Sequence, residues 1–115
     1  MEEVSELVIG KKYSIELYPA DKKIKAVYKG KGILEGFGER HLFVHGERNK
    51  SYVMMDNHWL IEMPDGTLTY NSVSSAPVER FNKKNIREKL LSENPHDAKL
   101  GFRLSRFLSS LDEQI

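Results

Sequence analysis

Apolar and polar residues alternate with a period of two over the first three quarters of the chain, as is typical of β-strands. In segment 11–18 the side chains of Tyr13, Ile15 and Leu17 share one face, and segment 23–32 alternates in the same way. Four further segments are strand candidates: 41–45, 51–55, 59–63 and 67–73. The pattern predicts six or seven short strands at intervals of about 8 to 12 residues.

The stretch PDGT at 64–67 is the clearest turn signal in the chain. Proline pre-sets the backbone angle φ of a turn and glycine accepts the left-handed conformation, so the flanking strands are expected to form a hairpin. Regularly spaced short strands favour a compact antiparallel barrel or sandwich over a βαβ fold, and we expect the small antiparallel β-barrel. In strand count, residues 7–76 resemble the SH3-like and Sm-like small barrels, and SVSSAP at 72–77 is the expected boundary with the helical segment.

From about residue 82 the apolar period changes to that of an α-helix. Asn82 or Asn85 can cap a first short helix, because asparagine side chains accept hydrogen bonds from the free N–H groups of a first turn. Ile86, Leu90 and Leu91 then lie on the apolar side of this helix. The sequence therefore predicts a short amphipathic helix after the barrel.

A second helix is expected after Asn94, which can act as its N-cap with Pro95 at the first helical position. Gly101 costs about 1 kcal/mol relative to alanine inside a helix, so a start later than Pro95 is an alternative. One continuous apolar stripe marks this helix: Leu100, Leu104, Phe107, Leu108, Leu111 and Ile115. The chain is thus predicted to be a single α+β domain (1–115), a small antiparallel barrel followed by two C-terminal helices within 82–115.

The apolar stripe has to be buried, because full burial of an apolar side chain contributes roughly 1.5–3 kcal/mol. One alternative is that the second helix packs over an open end of its own barrel. The other is that the stripe binds a protein partner or a second copy of the chain. In that case the partner-binding residues are expected to be Leu104, Phe107, Leu108 and Leu111.

Composition excludes several classes of site. The 115 residues include no cysteine, which rules out disulfides, thiolate zinc sites and cysteine nucleophiles. No apolar run of about 18 residues is present, so we expect no membrane-spanning helix. The stretch MEEVSELVIG carries acids where a secretory signal would carry positive charge, so a cytoplasmic protein is expected. The net charge of +1 argues against a surface that is basic throughout.

Segment 23–32 also carries a row of lysines that the period of two places on one face: Lys23, Lys25, Lys29 and Lys31. Four cations with Tyr28 nearby could follow a phosphate backbone, which makes nucleic-acid binding one hypothesis. The alternative is that lysines on an edge strand keep the sheet from pairing with another chain. The sequence leaves both interpretations open.

The histidines of GERHLFVHGER (38–48) suggest a metal pair only at first sight. On a strand, His41 and His45 share a face but stand about 13 Å apart at ~3.3 Å per residue, too far for one metal ion. We therefore expect two ends of a strand. Asp56 and His58 could form a ligand pair or an oriented base, although Asp-Asn is also ordinary turn chemistry. No metal and no cofactor are expected.

These observations lead to three hypotheses about function. The first is a non-catalytic binding or regulatory module that recognises another macromolecule, with a protein partner or a second copy preferred. The second is a nucleic-acid-binding small barrel that uses the basic strand at 22–31. The third is a small enzyme that uses His58 and Asp56.

Overall fold

The computed structural model describes residues 2–3, 7–18, 22–46, 48–56, 60–71 and 79–113. The strands are β1 Glu2–Glu3, β2 Lys12–Tyr18, β3 Lys22–Leu34, β4 Gly38–His45, β5 Ser51–Met55, β6 Leu60–Glu62, β7 Leu68–Asn71 and β8 Glu79–Asn82. The helices are α1 Lys83–Leu90 and α2 Pro95–Ser110. The α+β prediction is confirmed, and every predicted strand segment contains a strand. In the part of the chain that is described, no helix is long and apolar enough to cross a membrane.

All eight strands belong to one sheet, in the order β1-β6-β7-β2-β3-β4-β5-β8. Neighbouring strands are antiparallel except β2 and β7, which are parallel. The edge strands β1 and β8 share no pairing within the described ranges, so the sheet is open. The predicted small antiparallel barrel is therefore replaced by an open sheet in which one strand pair is parallel. Alternation specifies where strands lie, whereas pairing of the last strand with the first depends on contacts that no local pattern encodes.

One face of the sheet surrounds an apolar core, here called the inner cluster. It contains Tyr13, Ile15, Leu17, Ile24, Ala26, Tyr28, Phe43, Val53, Met55, Leu60, Leu68 and Tyr70. Met55 of β5 and Leu60 of β6 both belong to it, although four strands separate β5 from β6 in the hydrogen-bonded order. The sheet must therefore curl around this cluster without closing.

The opposite face of β3, β4 and β5 packs against both helices and forms the outer cluster. Its members are Leu34, Leu42, Val44, Tyr52, Met54, Ile86, Leu104, Phe107 and Leu108. In β4, Leu42 and Val44 join the outer cluster while Phe43 joins the inner one. Central strands of this sheet are thus buried on both faces, which gives the domain two apolar layers.

A β-bulge in β3 changes which of its residues face the helices. The register with β4 shifts between Tyr28 and Gly30, which leaves Lys29 outside the pairing. Before the bulge, even-numbered residues such as Tyr28 point into the inner cluster; beyond it, Leu34 belongs to the outer cluster. One extra residue in a strand turns the following side chains to the other face.

The β6–β7 hairpin is confirmed, with its turn at Pro64–Gly66. Gly66 has a φ of 90°, the left-handed conformation that glycine adopts without strain. The Asp65 carboxylate accepts a hydrogen bond of 2.9 Å from the backbone N–H of Thr67, and this interaction lowers the pKa of Asp65. The expected boundary at 72–77 lies outside the described residues.

Helix α1 is capped as predicted, by a reciprocal pair of asparagines. The Asn82 side chain accepts from the Asn85 N–H and the Asn85 side chain accepts from the Asn82 N–H, both at 2.8 Å. Ile86 is fully buried. Leu90 and Leu91, expected beside Ile86 on the apolar side, are 37 % and 85 % exposed, so Ile86 is the buried one of the three. The helix has only eight residues and ends at Leu90, with Leu91 as its C-cap.

Helix α2 begins at Pro95, with the Asn94 side chain accepting from the N–H of His96 at 2.9 Å. The later start that Gly101 suggested does not occur. A Cβ atom at position 101 would lie 2.8 Å from the backbone nitrogen of Leu90, closer than real Cβ atoms approach. Gly101 is therefore needed for the close approach of the two helices, which outweighs its cost within α2.

Candidate functional site

The β-bulge divides the predicted lysine row. Lys23 and Lys25 precede it and alternate with inner-cluster residues, so they lie on the helix side of the sheet. Lys31 follows the bulge and pairs with His41, so it lies on the other side. The four lysines therefore do not form one face. Strand β3 lies inside the strand order, but its pairing with β2 covers residues 22–27 and its pairing with β4 covers residues 27–34, so each half has a paired strand on one side.

Three lysines of the row are ion-paired. The pairs are Lys23 with Glu16 at 3.2 Å, Lys29 with Glu113 at 3.1 Å and Lys31 with Glu39 at 3.7 Å. Tyr28 is buried, and its hydroxyl lies 2.8 Å from Nδ1 of His41. Burial, and to a lesser extent Tyr13, raises the pKa of Tyr28 to about 12. A buried ring offers no surface on which a base could stack, so β3 is a poor nucleic-acid surface in this arrangement.

The apolar stripe of α2 packs against the chain's own sheet. Leu104, Phe107 and Leu108 are at most 2 % exposed and belong to the outer cluster, so a partner cannot reach them while the domain is folded. Leu111, just beyond the helix, is partly buried and packs against the same cluster. Ile115 lies outside the described residues. Of the two interpretations of the stripe, intramolecular packing describes these three side chains.

His41 and His45 both lie in strand β4, and their surroundings differ. His41 is buried against Tyr28, whereas His45 is exposed and its Nδ1 lies 2.6 Å from the backbone oxygen of Lys25. Across the described ranges, no group of three or more histidines and acids is placed to hold a metal ion. Asp56 has a carboxylate oxygen 3.9 Å from Arg40 Nη1, and His58 lies outside the described residues.

A surface that the sequence did not indicate lies between the second half of β3 and the second half of α2, here called the β3–α2 groove. It consists of two cavities of about 510 and 270 Å³ that meet at Ile33 and Ser110. Ile33, which lines both cavities, is 71 % exposed. Gly32 lets the helix approach closely, since a Cβ there would lie 3.2 Å from Phe107 and 3.5 Å from Leu111.

The charged side chains of the β3–α2 groove largely neutralise one another. Lys31 pairs with Glu39 at 3.7 Å, and Arg106 pairs with Glu35 at 3.9 Å. Arg103 also lines the groove. Exposed pairs of this kind contribute little to stability, typically below about 1 kcal/mol. Because of these ion pairs, the groove around the exposed side chain of Ile33 carries little net charge.

A second surface, here called the basic cavity, has a volume of about 180 Å³ and lies where the β4–β5 loop meets the start of α1. It is lined by Arg48, Asn49, Lys50, Asn82, Lys83 and Lys84. Four of these six residues are cations and none is an acid. Sequence reasoning missed them because they belong to two short stretches, RNK (48–50) and NKK (82–84), more than thirty positions apart.

A buried carboxylate lies behind the basic cavity. Glu113 is 5 % exposed, and its two oxygens lie 3.1 Å from Lys29 Nζ and 3.7 Å from Lys50 Nζ. Burial first, and then the charge of Glu113, raises the pKa of the fully buried Tyr52. This ionic contact joins the end of the helical segment to the bulge of β3 and to the residue that precedes β5.

No protein-family description, no curated protein and no solved structure matches this chain. Function therefore has to be argued from these surfaces alone.

Proposed function

We propose that this protein is a non-catalytic binding module that recognises another protein chain through the β3–α2 groove. The exposed side chain of Ile33, between two cavities, is the observation that carries the proposal. Covering an exposed apolar side chain with a partner lowers the free energy of the system, and contiguous exposed apolar surface is typical of protein-binding sites.

Neighbouring apolar side chains extend this surface beyond the groove. Leu111 and Ile9 both lie over Gly30, where a Cβ atom would be 3.3 and 3.6 Å from their methyl groups. Ile9 is itself 68 % exposed. Beyond the bulge Ile33 shares the face of Lys31, whereas Leu111 and Ile9 lie over Gly30 on the helix side, so a partner that contacts all three has to reach around β3 at Gly30–Ile33.

The charge of the groove indicates what chemistry the partner presents. Because Lys31 is paired with Glu39 and Arg106 with Glu35, the groove does not strongly favour an acidic or a basic partner. The occupant we propose is an apolar segment of another protein, and its binding should depend only weakly on salt. A second copy of this chain is the other possible occupant and is distinguished by mass.

Site-specific photo-crosslinking tests the proposal. A photoreactive phenylalanine analogue is placed at position 33, and in a matched control at position 91, because Leu91 is 85 % exposed but lies away from the groove. Cells expressing the full chain should give a discrete crosslinked species from position 33 and not from position 91. A species of twice the chain mass identifies a second copy, and any other defined mass identifies a different protein.

The substitution Ile33→Asp provides the second measurement. A central interface residue contributes at least about 2 kcal/mol, so this change should weaken association by at least about 30-fold. Leu91→Asp should leave it unchanged. Equal crosslinking at positions 33 and 91, or association that Ile33→Asp does not weaken, would contradict the proposal. The cytoplasm, expected from the cysteine-free sequence, is the proposed location.

A further inference from the structure

Pairing of β5 with β8 creates the basic cavity. Ser51 of β5 is the register partner of Asn82 of β8. Lys50 therefore lies just before one strand and Lys83 just after the other, at the same end of the antiparallel pair. Arg48 and Lys84 add two further cations from the adjoining loop and helix. The sheet register thus brings together four positive charges from two distant stretches.

Most of these positive side chains have no acidic partner among the residues that the structure describes. Of the four cations, Lys50 has an acidic partner, Glu113, at 3.7 Å. No carboxylate in the described part of the chain lies within 4 Å of Arg48, Lys83 or Lys84. This arrangement contrasts with the ion-paired lysines of β3. A bound anion would supply the acidic partner that Arg48, Lys83 and Lys84 lack within the described ranges.

Two of these lysines lie in the first turn of α1, which adds to the excess of positive charge. Lys83 and Lys84 are the first two residues of the helix, whose first turn contains no acid. The N-terminal end of a helix carries partial positive charge, so cations there are unfavourable by roughly 0.3–1 kcal/mol each and anions are favoured. The helix end and the four side chains therefore favour the same kind of ligand.

We propose that the basic cavity is a binding site for a compact ligand that carries two or more adjacent phosphate groups. The cavity of about 180 Å³ has room for such a group but not for an extended chain. Its lining contains four cations, more than one phosphate group needs for neutralisation. The amide side chains of Asn49 and Asn82 also line it and could donate hydrogen bonds to phosphate oxygens.

A compact ligand is favoured over a nucleic acid for two reasons. None of the six lining residues is aromatic, so the cavity has no platform for a base. The chain as a whole has a net charge of only +1, too little for a surface that follows a phosphate backbone over many nucleotides. This site is separate from the β3–α2 groove, and neither proposal depends on the other.

Titration of the ¹⁵N-labelled full chain with pyrophosphate tests the proposal. At low salt, pyrophosphate should shift the backbone amide signals of residues 48–50 and 82–84 in a saturable way. Raising the salt to about 0.15 M, where the Debye length is about 8 Å, should weaken binding. The variant Lys84→Gln should weaken it about tenfold, because a charge-assisted contact to phosphate is lost.

Lys99→Gln is the matched control, since Lys99 is an exposed lysine of α2 and is not among the lining residues. It should bind pyrophosphate like the parent chain. Absence of saturable shifts, or equal weakening by both variants, would overturn the proposal. Sulfate that binds as tightly as pyrophosphate would also overturn it, because the site would then be unselective. A single-stranded RNA that binds more tightly, with the same dependence on Lys84, would overturn the assigned ligand class in favour of nucleic acid.

Discussion

Gly101→Ala is the substitution for which the structure and helix propensity make opposite predictions. Alanine is the best helix former and glycine among the worst, so propensity alone predicts a gain of about 1 kcal/mol within α2. In the folded domain, however, the new Cβ atom would lie 2.8 Å from the backbone nitrogen of Leu90 and 2.9 Å from Cβ of Lys89. Packing between the helices therefore opposes the local preference.

The size of the effect follows from which atoms are in contact. Non-bonded carbon contacts are favourable near about 3.5–4.0 Å, so the helices have to separate by about 0.7 Å. Overpacking of this kind costs about 1–3 kcal/mol, and the upper part of that range applies because a backbone atom of Leu90 cannot rotate away. After subtraction of the helix-propensity gain of about 1 kcal/mol, we expect a net loss of about 1–2 kcal/mol.

Urea unfolding followed by circular dichroism measures this loss. Gly101→Ala should shift the midpoint to lower urea with an unchanged m-value, and Tm should fall by about 4–8 °C. Ser109→Ala is the matched control, because Ser109 is an exposed residue of the same helix. It should gain up to about 0.5 kcal/mol from helix propensity. A Gly101→Ala chain as stable as the parent or more stable would refute the argument from close helix packing.

Three further predictions follow from the same packing and charges. Phe107→Ala should lower the free energy of unfolding, measured in urea, by about 3–5 kcal/mol. Phe102→Ala, at a position 55 % exposed, should lower it by less than about 1 kcal/mol. Similar losses from the two substitutions would contradict the burial of the stripe. Because the pKa of Tyr28 rises to about 12 in the folded chain from the ordinary 10.0, its contribution to stability is complete below about pH 10 and is lost as the pH approaches 12. The parent should therefore lose stability over this interval more steeply than Tyr28→Phe, and equal slopes would refute the shift. Proton NMR should find that the ring signals of His41 and His45 do not respond to zinc, and a shared response to zinc would contradict their positions on β4.

Local features of the fold could be predicted because their causes lie within a few residues. The caps at Asn82 and Asn94 depend on a side chain and the first turn that follows it. The β6–β7 turn depends on proline and glycine at fixed positions, and β2 and the first half of β3 follow from alternation of apolar and polar residues.

Contacts between distant segments could not be predicted in the same way. The bulge at Lys29 reverses the faces of β3, and it appears only when β3 is paired with β4. The exposure of Ile33 likewise depends on this bulge, because the shifted register places Leu34, and not Ile33, on the face that α2 covers. A pattern of residues does not contain this information, because a single residue of register shift exchanges the two faces of a strand.

Both proposed surfaces therefore belong to the tertiary structure. The sequence by itself determined an α+β chain with capped helices and an amphipathic α2 stripe that had to be buried. Tertiary structure decided that the sheet stays open, that the stripe is covered by the chain's own outer cluster, and that Lys50 and Lys83 meet at one cavity. Burial and capping are properties of single residues and their near neighbours. The meeting of charges depends on the β5–β8 register, which joins stretches more than thirty positions apart.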